Sequence, residues 1–305
     1  MFLVYPQLPR AGLGNMLFVW ARAVLFAQLN SIPVIAPNWG TIKIGPYLRG
    51  ERDKRDYGSF FSQRYYASKY HYFLRFLLRQ NISYNPAISK IDLSNLEPNL
   101  FIFNSLPHWS DYFIDLKEHQ LFIKHRLVSS LRESVFKSIF SRVAPEIGIH
   151  IRMGDFKVLK PGDDFTQLGN VRTPINWYIG LIYAIREVAK FNVPVTLFSD
   201  GHDEELSELL KLPNISRPPL ASALSDLLTL SRSKLLITSS GSTFSSWASY
   251  LGQCPTIWHP AHFHAGVFPE QLRNHVFEGG FDPESMTFPE LLNNNIQKAF
   301  ENSYV

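Results

Sequence analysis

Seven residues, His150-Ile151-Arg152-Met153-Gly154-Asp155-Phe156, bring an imidazole, a guanidinium and a carboxylate together directly behind the apolar run Ile147-Gly148-Ile149. That run reads as a buried strand. Charged side chains are rarely buried unless they are paired or functional, so a strand that exits into this group has a task for it. Arg152 is a permanent charge carrying a planar fork of donors, which suits two-point capture of a phosphate. Open α/β sheets bind ligands beyond the carboxyl ends of their strands. Two readings follow. One is an anion site, with the diphosphate of a nucleotide as first choice. The other is an Arg–Asp ion pair that closes a strand–loop corner. A lone His such as His150 is more often a hydrogen-bonded structural residue than a catalyst.

Three further groups have chemical potential. Gly12-Leu13-Gly14-Asn15 lies between an expected strand and an expected helix. There glycines let backbone N–H groups approach a phosphate and the helix N-terminus adds favourable partial charge. It lacks the third glycine of the dinucleotide fingerprint and the lysine of the phosphate loop, so an ordinary β-to-α turn is the competing reading. Ser239 to Trp247 is a run of small hydroxyl residues, again between strand and helix. It offers donors to phosphate oxygens, or simply a capped helix start with Ser242 or Thr243 as cap. Asp155, Asp200 and Asp226 stand at strand or helix edges as candidates for ribose or base contacts, against a structural role for each taken singly. No metal is expected. There is no Asp-x-Asp at a strand end, and His259, His262 and His264 have no Cys or carboxylate beside them, so a solvated loop is preferred to a metal site.

The elements that must position these groups are legible in outline. The 305 residues, 45% of them hydrophobic, can fill a large core and suggest two domains. Phe2 to Tyr5 reads as a first strand, Asn15 as the cap of a helix running to about Asn30, and Ile32 to Ala36 as a second strand. After about Ala144 the rhythm becomes regular α/β. Strands are expected at 146–151, 194–199, 234–238 and 255–258. Helices are expected behind Thr173-Pro174, with Thr173 as cap, at 226–230, at 247–251 and at 289–300. The boundary is placed at 144, giving domains 1–144 and 145–305, with the last helix packing on either one. Residues 40–110 are harder to read. Within them 49–80 is basic and aromatic, and 68–80 suits an amphipathic helix: a partly buried helix with snorkelling cations, or else a peripheral membrane or acceptor-binding surface.

Composition narrows the partners. One cysteine, Cys254, excludes an intramolecular disulfide and fits a reducing compartment. No stretch reaches the ~18 apolar residues of a membrane span, and no secretory signal is apparent, so a soluble cytoplasmic protein is expected, with peripheral contact at the inner face of the membrane as the variant. The net charge of +4 favours acidic partners such as phosphates and nucleotide sugars. The basic residues are scattered and no nucleic-acid module is present.

Taken in order, these segments resemble one family, the bacterial α-1,2-fucosyltransferases, and more distantly the α-1,6- and protein O-fucosyltransferases. The resemblance rests on Gly12-Leu13-Gly14-Asn15-Met16-Leu17-Phe18, Trp109-Ser110-Asp111-Tyr112-Phe113, His150-Ile151-Arg152-x-Gly154-Asp155-Phe156, Leu197 to Asp200, Asp226 to Ser231, and Thr243-Phe244-Ser245-Ser246-Trp247. It spans about residues 8 to 260, with little to register between 40 and 105. Met153 stands where the family carries a second Arg, Ala11 where it has a Gly, and Ser246 where it has a Trp. These departures leave the implied donor intact and bear on acceptor and linkage.

The resemblance implies an α/β, GT-B-like architecture, two Rossmann-like domains facing a central cleft, and metal-free inverting transfer of L-fucose from GDP-fucose to a glycan hydroxyl. The glycan would be an oligosaccharide, a polysaccharide or a lipid-linked chain, and the first-choice linkage α-1,2 to galactose. By the same resemblance Arg152 neutralises the diphosphate. His150 and Asp226 contact the guanosine, and the backbone from Ser242 through Thr243, Phe244 and Ser245 to Ser246 binds phosphate. Gly12, Gly14 and Asn15 approach from the N-terminal domain to help place the leaving group, and Asp155 orients Arg152 or serves as base. The other readings are a transferase for a different GDP-sugar and a non-catalytic nucleotide- or sugar-binding protein.

Overall fold

The computed structural model describes residues 2–40, 57–64, 66–67, 81–284 and 287–301. The expected amphipathic helix at 68–80 and most of the basic, aromatic segment at 49–80 lie outside them. The described chain forms two units that divide between Ser138 and Ile139.

The first unit opens with strand β1 (Leu3–Pro6) and helix α1 (Leu13–Asn30). Strands β2 (Ile82–Tyr84) and β3 (Leu100–Phe103) complete a parallel sheet of order β1-β3-β2. Helix α1 is apolar on nearly all sides and is correspondingly buried on nearly all sides. The other face of the sheet carries Leu3, Tyr5, Ile35, Leu100 and Ile102. The strand expected at 32–36 is reduced to bridges, Val4 with Val34 and Ile35 with Ala67. Pro33, which has no N–H to donate, gives only its carbonyl, to Val4. Helices α2 (Gln120–Ser129) and α3 (Glu133–Phe140) follow.

The second unit is a parallel sheet built from β4 (Ile147–Ile151), helix α4 (Ile175–Ala189), β5 (Val195–Ser199), the short helix α5 (Ser207–Leu210) and β6 (Ile215–Ser216). Helix α6 (Ala223–Leu230), β7 (Leu235–Ile237), helix α7 (Thr243–Gly252), β8 (Thr256–Trp258), the short helix α8 (Glu270–Arg273), β9 (Glu278–Gly280) and helix α9 (Glu290–Phe300) complete it. The six strands lie in the order β6-β5-β4-β7-β8-β9. The chain starts in the middle of the sheet, works out to one edge, then crosses back and works out to the other. This is the doubly wound arrangement, and its topological switch point lies between β4 and β7.

Alternation along β4 assigns its two faces. Ile147, Ile149 and Ile151 join the core with Trp177, Tyr178 and Leu181 of α4 and with Leu292, Ile296 and Phe300 of α9. Helix α9 thus packs on α4 within the second unit. Gly148 and His150 face the other way, Gly148 toward Leu230 and Ser233 and His150 toward α7. Among the described residues no helix is long and apolar enough to cross a membrane.

The pairing of α6 with α7 depends on a glycine. A Cβ on Gly252 would lie 2.5 Å from the carbonyl oxygen of Ser231, which is backbone and cannot turn aside. Gly252→Ala is therefore expected to cost about 1–3 kcal/mol, with Tm falling by about 2–4 °C for each kcal/mol lost. A Tm equal to that of the parent protein in calorimetry would contradict this packing.

Candidate functional site

The β4–β7 ladder ends at the pair Ile149–Ile237. Beyond it the two chains diverge, and buried backbone N–H groups there need other acceptors. Side chains supply them. Ser239 Oγ accepts from Arg152 N–H at 3.1 Å. Ser245 Oγ accepts from Ser239 N–H at 3.0 Å, and Thr173 Oγ1 accepts from Ser240 N–H at 3.0 Å. Asp200, at the end of β5, accepts from Met153 N–H through Oδ1 at 2.8 Å. Thr173 is thus not the cap of α4. That helix begins at Ile175 without a side-chain cap, and the Thr173 hydroxyl is committed to the β7–α7 loop.

The loop from β7 into α7 has the form of an anion cradle. Gly241 adopts φ of +64°, open to glycine at no cost. Ser242 caps α7 by accepting from Ser245 N–H, and Ser246 Oγ donates back to the Ser242 carbonyl. No acidic residue occupies the first turn of α7, so its partial positive charge is uncompensated there. Ser240 is 3% exposed and its Oγ has no hydrogen-bond partner. A buried hydroxyl in that condition costs free energy until something bonds to it.

Arg152 leaves the end of β4 beside this cradle. Its Nε and Nη2 both donate to Asp155 Oδ1, at 3.0 and 2.6 Å, and its Nη1 donates to Asp200 Oδ2. Its guanidinium also lies 5.9 Å from the centroid of the Phe156 ring. Of the two sequence readings of this segment, the ion pair that closes the strand–loop corner is present, and it fixes the guanidinium between Asp155 and Asp200. Asp155 is 51% exposed, so its pair with Arg152 is worth about 1 kcal/mol or less and yields readily to a stronger anion. Gly154 is required by this arrangement, because a Cβ would come within 2.4 Å of Asp200 Oδ2. Met153 is 3% exposed and sits in the core, against Gly201.

His150 is 6% exposed. Its Nδ1 lies 2.8 Å from Ser245 Oγ, and its ring stacks on Phe244 at 4.6 Å. Burial pushes its pKa down to about 3, with the Asp200 charge acting the other way and the Arg152 charge adding to the fall. His150 is a neutral strut that holds the first turn of α7 against β4. Asp226 lies on α6, where Arg142 bonds both its Oδ1 and the Ser225 hydroxyl at 2.9 Å. Gly12, Gly14 and Asn15 belong to the other unit. Gly12 is the N-cap of α1, which puts Asn15 inside the first turn rather than at the cap, with its Oδ1 buried and unpartnered.

Sequence reasoning missed Arg172. Its Nε donates to the carbonyls of Met153 and Phe156, at 3.2 and 3.3 Å, and its Nη1 to Glu205 at 2.7 Å. The Arg172 guanidinium thereby clamps both ends of the turn that carries Gly154 and Asp155. Glu205 is held below its ordinary pKa first by the His202 N–H and further by Arg172. No pattern announces such a residue, because its targets are backbone carbonyls at least 16 positions away. The histidine group also differs from the expected solvated loop. His262 Nε2 lies 2.8 Å from the Phe165 carbonyl, and the Phe165 ring packs on His259 and His262. Burial, and then His262, lowers His259 to about 4, against the pull of Asp282. Among the described residues no cluster of His, Cys, Asp or Glu is arranged to hold a metal.

No protein-family profile matches the chain, and no curated protein matches it by sequence. Solved structures do. NodZ α-1,6-fucosyltransferase soaked with GDP-fucose matches with a TM-score of 0.50 and 16% identity over 85% of this chain and 94% of that one. NodZ from Bradyrhizobium matches at 0.47 and 16%, over 81% and 92%. POFUT1 in complex with GDP matches at 0.48 and 14%, over 84% and 97%. The match at 0.50 carries the assignment of fold, and the two below 0.5 add nothing to it. The chain has a GT-B-like α/β fold.

Two outcomes are expected of this site. Arg172→Lys, which cannot bridge two carbonyls and a carboxylate at once, should loosen the turn from Met153 to Phe156, with its backbone amides exchanging about tenfold faster or more, the loss of one or two charge-assisted hydrogen bonds; unchanged hydrogen exchange in that turn would show that Arg172 is not its clamp. For His150, the unfolded chain takes up the proton first, because the folded value lies below the ordinary 6.5. Its contribution to stability is complete above about pH 6.5 and is lost as pH falls from there toward 3. His150→Gln should flatten that part of the stability–pH curve, and a curve parallel to that of the parent protein would show that His150 is not the titrating group.

Proposed function

We propose that this protein is an inverting glycosyltransferase that moves L-fucose from GDP-fucose to a hydroxyl of a glycan acceptor, without a metal ion, and that the first linkage to test is α-1,2 to galactose. One observation carries the reading. At the carboxyl end of the second unit's sheet stand a guanidinium held by two aspartates, a helix N-terminus entered through a left-handed glycine, and a buried hydroxyl with no partner, and the Arg152 backbone is bonded to Ser239 at the start of that glycine's loop. That constellation suits a diphosphate. Guanosine and fucose are supported by the ordered series of motifs and by the GDP-fucose soaked into the NodZ structure that shares the fold.

The chemistry then follows from where charge grows. As the bond between the anomeric carbon and the diphosphate oxygen breaks, its electron pair stays on the diphosphate and the sugar takes on oxocarbenium character. The acceptor oxygen closes on the opposite face, and its proton passes to a base, with Asp155 as the candidate carboxylate, and from there to solvent. Groups already oriented toward the leaving oxygen stabilise the transition state more than the ground state. Arg152 and the amides at the start of α7 are such groups. Asp200 and Asp155 orient the guanidinium, Ser239 and Ser245 fix the backbone beneath it, and His150 holds α7 in place.

Arg152→Ala should lower transfer by at least ~100-fold, the scale of one preorganised donor, with the fold retained. The assay would use labelled GDP-fucose with a panel of galactose-terminated glycans, and GDP-mannose as the rival donor. Transfer by the parent protein should be the same in EDTA as in added Mg²⁺ or Mn²⁺. Full activity in a folded Arg152→Ala protein, or GDP-mannose used in preference to GDP-fucose, would overturn the assignment.

A further inference from the structure

Five of the six tryptophans are buried: Trp20, Trp39, Trp177, Trp247 and Trp258 are all 7% exposed or less. The sixth, Trp109, is 58% exposed. An indole gains most of its free energy from burial, so one held in water needs a reason. A floppy loop would be one, but the turn that carries Trp109 is built rigidly. His108 caps it through Nδ1, which accepts from Ser110 N–H and lies 2.7 Å from Ser110 Oγ. Asp111 accepts from Phe113 N–H at 3.1 Å and pairs with Lys117 at 2.6 Å. Phe113 is buried, and Phe18 of α1 packs on the rings of Tyr112 and Phe113 at 5.0 and 4.9 Å. Arg22 of α1 pairs with Asp115 at 2.9 Å. The turn follows β3 and so lies at the carboxyl edge of the first unit's parallel sheet, where such sheets place ligands.

We infer that Trp109 is the platform of a sugar-binding subsite, on which the C–H face of a pyranose from the acceptor glycan stacks. This rests on the glycosyltransferase reading above. The surroundings favour a sugar over a lipid or an apolar protein face, because the ring stands among hydrogen-bonding groups. With Nδ1 accepting, the proton of neutral His108 is on Nε2, a donor whose ring lies 5.4 Å from the indole. Ser110 is its chain neighbour, and the Asp111–Lys117 pair belongs to the same turn. An aromatic face with polar groups at its rim matches a pyranose, which has an apolar face and a hydroxyl rim.

Two measurements test the subsite. In the first, the full-length protein is titrated with galactose, lactose and a galactose-terminated tetrasaccharide while tryptophan emission is followed. The exposed indole should blue-shift or quench on binding, and the change should vanish in Trp109→Phe. In the second, transfer is assayed with Trp109→Ala and Trp109→Phe. The alanine variant should raise the acceptor KM about tenfold or more, the phenylalanine variant should recover most of it, and GDP affinity and slow GDP-fucose hydrolysis should stay at parental values in both. Loss of GDP binding or hydrolysis in the parent protein would instead sink the donor reading. An emission change with anionic lipid vesicles but with none of the sugars, or an acceptor KM unchanged in Trp109→Ala, would overturn the subsite.

Discussion

The second unit depends on a constraint that every doubly wound sheet meets at its switch point: two parallel strands part company, and their buried amides lose the ladder that satisfied them. Here the gap between β4 and β7 is closed by hydroxyls and one carboxylate. Ser239, Ser245, Thr173 and Asp200 each take one backbone N–H. Those four bonds do more than satisfy donors. They set the direction in which Arg152 leaves the sheet, the height at which α7 begins, and the path of the chain from Met153 into its loop. The geometry of the candidate site is thus a by-product of keeping a divergent sheet edge dry and bonded.

The electrostatics follow from the same frame. Asp200 serves both the Met153 amide and the Arg152 guanidinium, which ties side-chain aim to backbone position. Asp155, more exposed, adds a second and weaker hold. One cation between two carboxylates is a resting arrangement in which the guanidinium is oriented but its charge is largely matched. Of the two carboxylates the exposed Asp155 is the more weakly held, because solvent screens its pair with Arg152 more than it screens that of Asp200. The buried, neutral His150 fits this setting, since a second positive charge beneath α7 would meet both desolvation and the charge of Arg152.

Much of this was readable in the sequence because the key residues sit at fixed offsets from strand ends. The apolar run before His150, the glycine beside Asp155 and the serines behind β7 each belong to a local pattern. What could not be read depends on distance or on competition. Thr173 has the look of a helix cap, and the Ser240 amide 67 residues away wins its hydroxyl instead. Asn15 reads as a cap, yet the cap of α1 is Gly12, three residues earlier. The strand expected at 32–36 shrank to two bridges because strand pairing is decided by neighbours that no local pattern reveals. Strands β2 and β3 are too short and too widely separated to show a period. The pair between Asp226 and Arg142, 84 residues apart, has no local signal either.

The long passage from Arg152 to Thr173 is fastened at few points. Arg172 grips its first turn, and Phe165 is seated on His259 and His262. Most residues between those fastenings are exposed. The result is a division of labour within one stretch of chain. A few anchors fix the turn beside Arg152, while the exposed residues between them carry little of that geometry and are open to substitution. A stretch organised in this way can vary along most of its length and leave the corner of the sheet that it starts from unchanged.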